Sequence, residues 1–157
     1  MDIEIVMENG GIIKAELYPA SAPITVANFI KLIEKNFFDG LIFHRVIKGF
    51  MIQGGGMSAD GTPKHAESIK GEFTRNGVDN PLKHTRGVLS MARTMFPNSA
   101  SSQFFIMHED APHLDGEYAA FGMVTEGMDV VDAIAETKTD RNDQPIEPQI
   151  IKTIRMA

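Results

Sequence analysis

The sequence predicts a mainly β protein, an antiparallel barrel or sandwich whose open ends are covered by helices. Several short segments alternate between apolar and polar residues with period two, only two segments have helical spacing, and there is no βαβ rhythm. The chain has 157 residues and 43% apolar residues, enough to bury a core without disulfides or metals. We expect residues 1–157 to form a single domain.

A β-hairpin is predicted at the beginning of the chain. Apolar residues occupy every second position on both sides of Asn9-Gly10, a dipeptide preferred where both central residues of a tight turn have φ > 0. The inward-facing residues of the two strands are expected to be Ile3, Ile5, Met7, Ile13, Ala15 and Leu17.

Two helices are predicted. The first runs from about Pro23 to Asn36, because proline suits a first helical position and apolar residues follow at helical spacing. The second is short, from Met128 to Ala135. The apolar residues of both helices should be core: Val26, Phe29, Ile30, Ile33, Phe37, Val131 and Ile134.

The remaining strands are predicted around one central stretch, residues 43–56, which contains two short apolar runs joined by Lys48-Gly49. Further strands are expected over residues 87–92, 103–108, 119–124 and 149–156. Between residues 54 and 86 turn residues accumulate, so we expect irregular structure that shapes a site.

Alternation also predicts a binding surface. It places Arg45 on one face of the first run, and Met51 and Gln53 on one face of the second. In residues 103–108 it places Gln103 and Phe105 on one face, opposite Phe104. A cation, a thioether and an amide together suit an apolar ligand that also carries backbone carbonyls.

Composition and spacing argue against several other functions. The chain has 15 basic and 21 acidic residues, a net charge of -6, and no basic stripe, so we expect no nucleic acid partner. There is no cysteine, the histidines lack metal-ligand spacing, and Gly54-Gly55-Gly56 lacks the ending of a phosphate loop. The serines near residue 100 lack a nucleophile elbow. We expect no metal and no cofactor.

No targeting or membrane segment is predicted. The chain opens Met1-Asp2-Ile3-Glu4, without a basic or apolar leader, and no stretch approaches ~20 apolar residues. We therefore expect a soluble cytoplasmic protein that contacts no membrane.

Several ordered blocks resemble the cyclophilin-type peptidyl-prolyl cis-trans isomerases, and the similarity covers nearly the whole chain. The blocks are Phe43-His44-Arg45-Val46-Ile47, Phe50-Met51-Ile52-Gln53-Gly54-Gly55, Gly87-Val88-Leu89-Ser90-Met91-Ala92, Ser102-Gln103-Phe104-Phe105-Ile106, Leu114-Asp115-Gly116 and Phe121-Gly122. The resemblance implies a closed eight-stranded antiparallel barrel capped by two helices. Side chains fill a barrel of that size, so the site should lie on its outer wall.

The resemblance also implies roles for individual residues. Arg45 would be the catalytic residue, and Gln53 would hold the peptide backbone. Phe50, Met51, Phe105 and Leu114 would form the pocket for the proline ring. Ala92, Arg93 and Gln103 would line the neighbouring groove, and His113, Leu114 and Tyr118 would form its rim.

Three positions depart from the family's best-known pattern. His113 replaces a tryptophan, Tyr118 replaces a histidine, and Arg93 replaces an asparagine. Because that tryptophan contributes to binding cyclosporin-type inhibitors, we expect their binding to be weakened. Prokaryotic members often vary at these places, so a bacterial or archaeal source is expected.

Two functions remain open from the sequence, and the presence of Arg45 favours the first. One is an isomerase that accelerates X-Pro isomerisation in peptides and in unfolded or folding proteins. The other is a binding module of the same fold that holds proline-containing segments without turnover. Spacing alone would make Arg45 a surface cation, and His44 a hydrogen-bonded core histidine. We expect a monomer, since no coiled coil or exposed apolar helix is indicated.

Overall fold

The computed structural model describes all residues from 1 to 157, and they form one eight-stranded antiparallel sheet with two α-helices. The strands are β1 (Asp2–Met7), β2 (Ile12–Leu17), β3 (Leu41–Ile47), β4 (Met51–Ser58), β5 (Val88–Met91), β6 (Phe104–Met107), β7 (Ala120–Glu126) and β8 (Ile151–Met156). The helices are α1 (Pro23–Glu34) and α2 (Met128–Ala135). Neither helix is long and apolar enough to cross a membrane.

The sheet curls into a nearly closed barrel. Its strands follow the order β3-β4-β6-β5-β7-β2-β1-β8. The two end strands meet at a short seam, where an Ile42–Ile150 bridge is joined by a 3.0 Å bond from the Phe43 N–H to the Gln149 carbonyl. The expected barrel is therefore confirmed, and the sandwich alternative is wrong.

Side chains fill the barrel interior. Five phenylalanines are fully buried and meet one another, and we call them the aromatic core: Phe29, Phe38, Phe43, Phe104 and Phe121. Phe29 comes from α1, and Val131 and Ile134 from α2 join the same buried cluster. With the interior occupied, a binding site is left to the outer wall.

Three local predictions need correction. The turn after β1 has φ > 0 only at Gly10, while Asn9 accepts a 2.9 Å bond from the Gly11 N–H, so a longer turn replaces the two-residue one. Helix α1 ends at Glu34 because Asn36 takes a left-handed φ of 55°. The predicted bounds of α2 are confirmed.

The third correction concerns the glycines after Gln53. They belong to β4, which continues to Ser58, whereas irregular structure was predicted from residue 54. A Cβ on Gly56 would lie 2.6 Å from the side chain of Gln103, so a larger residue at position 56 would displace that side chain. Glycine therefore leaves room for Gln103 to lie against β4.

Two single-turn 3₁₀ helices interrupt the loops that cover the outer wall. They span Thr74–Asn76 and Pro112–Leu114, and neither is predicted by periodicity. The second delivers Leu114 to the wall, where it is buried.

Candidate active site

A transverse row of paired residues crosses the outer wall. Arg45 of β3 pairs with Gln53 of β4, Gln53 pairs with Phe105 of β6, and Phe105 pairs with Ser90 of β5. A bulge in β3 between Phe43 and Arg45 shifts the register of the pairing with β4. Residues far apart in the sequence therefore share one surface.

The row leads into a cavity that we call the outer pocket. Its volume is about 140 Å³, the space of roughly four or five water molecules. It is lined by Arg45, Phe50, Met51, Gln53, Ala92, Arg93, Phe105, Leu114 and Tyr118. Such a cavity accepts a small ring and leaves polar groups at its edge.

Apolar side chains form the base of the outer pocket. Met51, Phe105 and Leu114 are buried and belong to a second apolar cluster, separate from the aromatic core. The Tyr118 ring stands edge-on to Phe105 with their centroids 5.8 Å apart. This perpendicular packing fixes the Phe105 ring in one orientation.

Polar side chains extend from one edge of the outer pocket. The Arg45 guanidinium is exposed and lies 3.5 Å from the Gln53 side-chain oxygen. The Gln53 amide donates a 3.0 Å bond to the Gln103 oxygen, so Gln103 supports Gln53. Arg45 forms no ion pair, which leaves its donors available to a ligand.

The Arg93 side chain forms another edge of the outer pocket, and we call this edge the partition. Its guanidinium lies between two rings, 4.6 Å from the centroid of Phe73 and 4.7 Å from that of Tyr118. It donates 3.1 and 2.6 Å bonds to the Glu117 carbonyl and a 2.9 Å bond to the Thr94 carbonyl. Stacking and hydrogen bonds together immobilise this cation.

His113 forms part of the rim. Its ring stacks on Phe50 with their centroids 5.9 Å apart and an angle of 28° between the planes. His113 is exposed and does not line the outer pocket itself.

Hydrogen bonds link the partly exposed Asp115 to the buried His84 and Ser90 beside Phe105. The Asp115 carboxylate accepts bonds of 2.6 Å from the His84 backbone N–H and 3.1 Å from His84 Nδ1. His84 Nε2 lies 2.8 Å from the Ser90 hydroxyl, which donates to it if Nδ1 carries the proton. The His84 ring also stacks on Phe105, with centroids 6.0 Å apart.

Asp115, His84 and Ser90 are the residue types of a serine nucleophile site, but the position of Ser90 excludes that chemistry. The Ser90 side chain is fully buried, so no substrate carbonyl reaches its hydroxyl. Burial lowers the pKa of His84 although Asp115 opposes the shift. The imidazole is therefore neutral at pH 7, and the Asp115 contact is a hydrogen bond rather than an ion pair.

His44 differs from its prediction. It is only partly buried, and its Nδ1 is enclosed without any hydrogen-bond partner, so the expected hydrogen-bonded core histidine is wrong at this nitrogen. Burial, followed by the nearby charge of Arg45, lowers the pKa of His44. A neutral ring is the form that tolerates this environment.

The structure brings together the residues that sequence reasoning selected. All of them line the outer pocket except Gln103, which bonds to Gln53, and His113, which stacks on Phe50. Sequence reasoning missed Phe73, His84 and Ser90, and it gave Asp115 no role. Phe73, His84 and Asp115 lie in loops without periodicity, and alternation within β5 does not reveal which loop residue Ser90 contacts, so no sequence signal was available for these contacts.

Comparison with known proteins gives the class to which this barrel belongs. The sequence model of the family described as "Cyclophilin type peptidyl-prolyl cis-trans isomerase/CLD" matches residues 2–156. The chain therefore belongs to the cyclophilin-type peptidyl-prolyl cis-trans isomerase family and is an enzyme of that class.

Individual relatives agree with this assignment. A peptidyl-prolyl cis-trans isomerase of Acinetobacter baylyi is 47% identical over 153 residues, covering 93% of this chain and 79% of the relative. Peptidyl-prolyl cis-trans isomerase B of Bacillus subtilis is 48% identical over 123 residues, covering 78% and 82%.

A solved structure agrees with the fold. It is the crystal structure of a Cryptosporidium parvum cyclophilin type peptidyl-prolyl cis-trans isomerase in the presence of the dipeptide Ala-Pro. The two structures superpose with a TM-score of 0.85 at 33% sequence identity, covering 100% of this chain and 99% of that chain.

Proposed function

We propose that the outer pocket binds the proline ring of an X-Pro segment and that Arg45 catalyses rotation about its amide bond. The observation that carries this proposal is an unpaired, exposed guanidinium at the edge of a small apolar cavity, beside the amide of Gln53. The Cryptosporidium relative crystallised in the presence of Ala-Pro supports a proline-containing ligand.

The reaction requires stabilisation of a twisted amide. Rotation breaks conjugation between the nitrogen lone pair and the carbonyl, over a barrier of ~18–20 kcal/mol. At the twisted transition state the lone pair is localised on the prolyl nitrogen and becomes basic. A donor directed at that nitrogen binds the transition state more tightly than either planar form, and only such differential binding accelerates the step.

Arg45 suits this task because its guanidinium stays protonated and offers several donors in one plane. Lowering the barrier by ~6 kcal/mol corresponds to acceleration on the order of 10⁴-fold, at ~1.36 kcal/mol per decade. Loss of one such donor typically costs ~2.7–4 kcal/mol, and transfer of the substrate amide from water to the apolar side of the outer pocket adds to this effect. The step forms no covalent bond and transfers no proton.

The other residues confine the rotation to one bond. Phe50, Met51, Phe105 and Leu114 hold the ring, and Gln53, supported by Gln103, holds the flanking backbone. Ala92 and Arg93 border the groove through which the chain continues, and Tyr118 and His113 form the rim. Fixing the substrate on both sides of the amide raises the fraction of encounters that lead to rotation.

The proposed substrates are X-Pro segments of unfolded or folding proteins in the cytoplasm, bound by a monomeric, single-domain enzyme. Proline isomerisation takes ~10–100 s without a catalyst, long enough to limit folding. Cyclosporin-type inhibitors are proposed to bind weakly, because His113 offers them a smaller ring than tryptophan.

Turnover of a short X-Pro peptide tests the proposal. The unmodified protein (the parent) should accelerate isomerisation, and Arg45→Ala should lower kcat/KM at least about tenfold. The fold should be unchanged, because the Arg45 side chain is exposed and makes one long hydrogen bond. Lys48→Ala removes another exposed cation from the same hairpin and should leave turnover unchanged.

Two outcomes would count against the proposal. Equal turnover by the parent and Arg45→Ala would contradict the role of the arginine. A parent that binds the peptide without accelerating isomerisation would instead support the alternative of a binding module, which the available Arg45 donors do not favour.

A further inference from the structure

The loop from Thr94 to Ser99 exposes two adjacent large apolar side chains beside the outer pocket. Met95 is 85% exposed and Phe96 is 69% exposed, the highest values among the large apolar residues of the chain. The other exposed apolar residues are not adjacent to one another in sequence. Exposed apolar residues that are adjacent, unlike single ones, commonly mark an interaction site.

Hydrogen bonds hold this loop in one conformation. The Ser99 hydroxyl accepts bonds of 3.0 and 2.8 Å from the Thr94 N–H and hydroxyl, and donates a 2.6 Å bond to the Phe96 carbonyl. The Asn98 side-chain oxygen accepts bonds of 3.1 Å from the Gly71 N–H and 2.9 Å from the Asn76 amide. A ligand that bound here would therefore lose little loop entropy.

A second cavity, which we call the side cavity, lies against the same loop. Its volume is about 430 Å³, and it is lined by Phe73, Arg75, Arg93, Met95, Pro97 and Glu117. Phe73, Met95 and Pro97 are apolar, and the other three lining residues are charged. Arg75 and Glu117 neutralise each other in a 3.1 Å ion pair, and Arg93 is stacked between two rings, so an apolar side chain could pack against Met95 and Pro97.

Arg93 connects the side cavity with the outer pocket. It lines both cavities, and its guanidinium is fixed between Phe73 and Tyr118. A polypeptide whose proline occupies the outer pocket would pass directly from one cavity to the other across this partition. An extended chain advances ~3.3–3.6 Å per residue, so about five residues on either side of the proline reach roughly 17 Å, well past a wall that is one side chain thick.

We propose that the side cavity and the Met95–Phe96 tip form a second subsite for the client polypeptide, which takes an apolar side chain within about five residues of the proline. This inference rests on the proposed function of the outer pocket. A folding chain presents such apolar side chains before its core forms. The subsite would favour unfolded clients over proline segments on folded surfaces.

The area of the patch argues against a second copy of this chain as the occupant. Stable interfaces bury about 800 Å² on each partner, which two exposed side chains at a loop tip do not supply. Continuity with the outer pocket instead favours the polypeptide that is already bound there.

Paired peptides test the proposal. Each pair shares one Ala-Pro core and differs by Phe against Ala at a single position, from five residues before the proline to five after it. For the unmodified protein, Phe at the position that reaches the subsite should lower KM about fivefold to tenfold relative to Ala at the same position. The kcat should change little, because the added contact is the same in ground and transition states. The core peptide alone is the reference for basal turnover.

Variants assign the effect to the loop. The double variant Met95→Ser, Phe96→Ser should abolish the Phe advantage and turn over the core peptide normally. The double variant Met95→Leu, Phe96→Leu should retain the advantage. Ile146→Ser is the matched control, because Ile146 is 67% exposed and lines neither cavity.

The possible outcomes separate this inference from the proposed function. Normal turnover of the core peptide with no Phe advantage at any position would overturn the second subsite alone. Absence of turnover would refute the proposed function, and titration of the paired peptides would then test the subsite by affinity. Sedimentation that showed dimers of the parent but not of the serine variant would overturn the inference in favour of a second copy.

Discussion

Phe104 and Phe105 are neighbours in β6, yet they face opposite sides of the barrel wall. Phe104 meets Phe29, Phe38 and Phe43 in the aromatic core, with ring centroids 5.3 to 5.9 Å apart and nearly perpendicular planes. Phe105 lines the outer pocket and packs against Tyr118 and His84. Both are buried, so burial alone does not distinguish their roles.

The difference lies in what surrounds each ring. On the inner face the Phe104 ring packs against three other phenylalanine rings that fill volume, which requires matching size and shape. On the outer face Phe105 packs against Tyr118 and against His84, which Asp115 and Ser90 hold, and it shares the outer pocket with the Arg45 guanidinium and the Gln53 amide. The inner face thus stabilises the barrel, and the outer face uses the rigidity of that barrel to position polar groups.

The largest effect on stability is expected from a substitution in the aromatic core. Phe104→Ala should lower the free energy of unfolding by about 3–5 kcal/mol, because the enclosed aromatic core cannot collapse around the missing ring. Phe105→Ala should cost about 1–3 kcal/mol, since one side of its ring already faces a cavity. Urea denaturation of both variants measures the two values, and equal losses would contradict the division between the faces.

For catalytic activity, the substitution on the outer face should have the larger effect. Phe105→Ala should lower kcat/KM for an X-Pro peptide about tenfold to a hundredfold, mainly through a higher KM, because the ring forms the base of the outer pocket. Steady-state assays at a temperature where the variant remains folded provide the measurement. Unchanged KM would mean that the outer pocket does not hold the substrate.

A smaller effect is expected from the two histidines with lowered pKa. Burial is the main cause for both His44 and His84, so the unfolded chain takes up protons near pH 6.5 before the folded chain does. The free energy of unfolding should therefore decrease as pH falls below about 6.5, by up to about 1.4 kcal/mol per pH unit for each histidine.

Urea denaturation between pH 7 and pH 5 measures this dependence, above the range where carboxyl groups dominate. His84→Gln should reduce the slope by up to one proton's contribution, and His44→Gln should reduce it likewise. A slope in His84→Gln equal to that of the parent would show that His84 titrates alike in both states.

Much of the inner face was predictable from the sequence, because it depends on periodicity. Alternation predicted the N-terminal hairpin, and helical spacing predicted both the first and the last residue of α2 correctly. Alternation also assigned Phe104 and Phe105 to opposite faces of their strand. The extension of β4 through three glycines was not predictable, since glycine carries no apolar pattern.

The outer face was predictable only in part. Alternation placed Arg45, Gln53 and Phe105 outward, and the family resemblance suggested the roles that we propose for them. The hydrogen bonds from Asp115 through His84 to Ser90 join two loop residues to a residue of β5, up to 31 positions apart, and nothing in the local sequence specifies them. The fixed position of Arg93 depends likewise on Phe73, which comes from another loop.

Exchange spectroscopy on an enzyme-bound peptide tests the central claim most directly, because it separates rotation from binding. With an isotope-labelled X-Pro peptide at saturation, Arg45→Ala should slow cis-trans interconversion at least about tenfold and change the peptide's affinity less than threefold or so. Arg45→Lys should lie between the parent and Arg45→Ala, because an ammonium lacks the planar set of donors. An interconversion rate in Arg45→Ala equal to that of the parent would contradict the account.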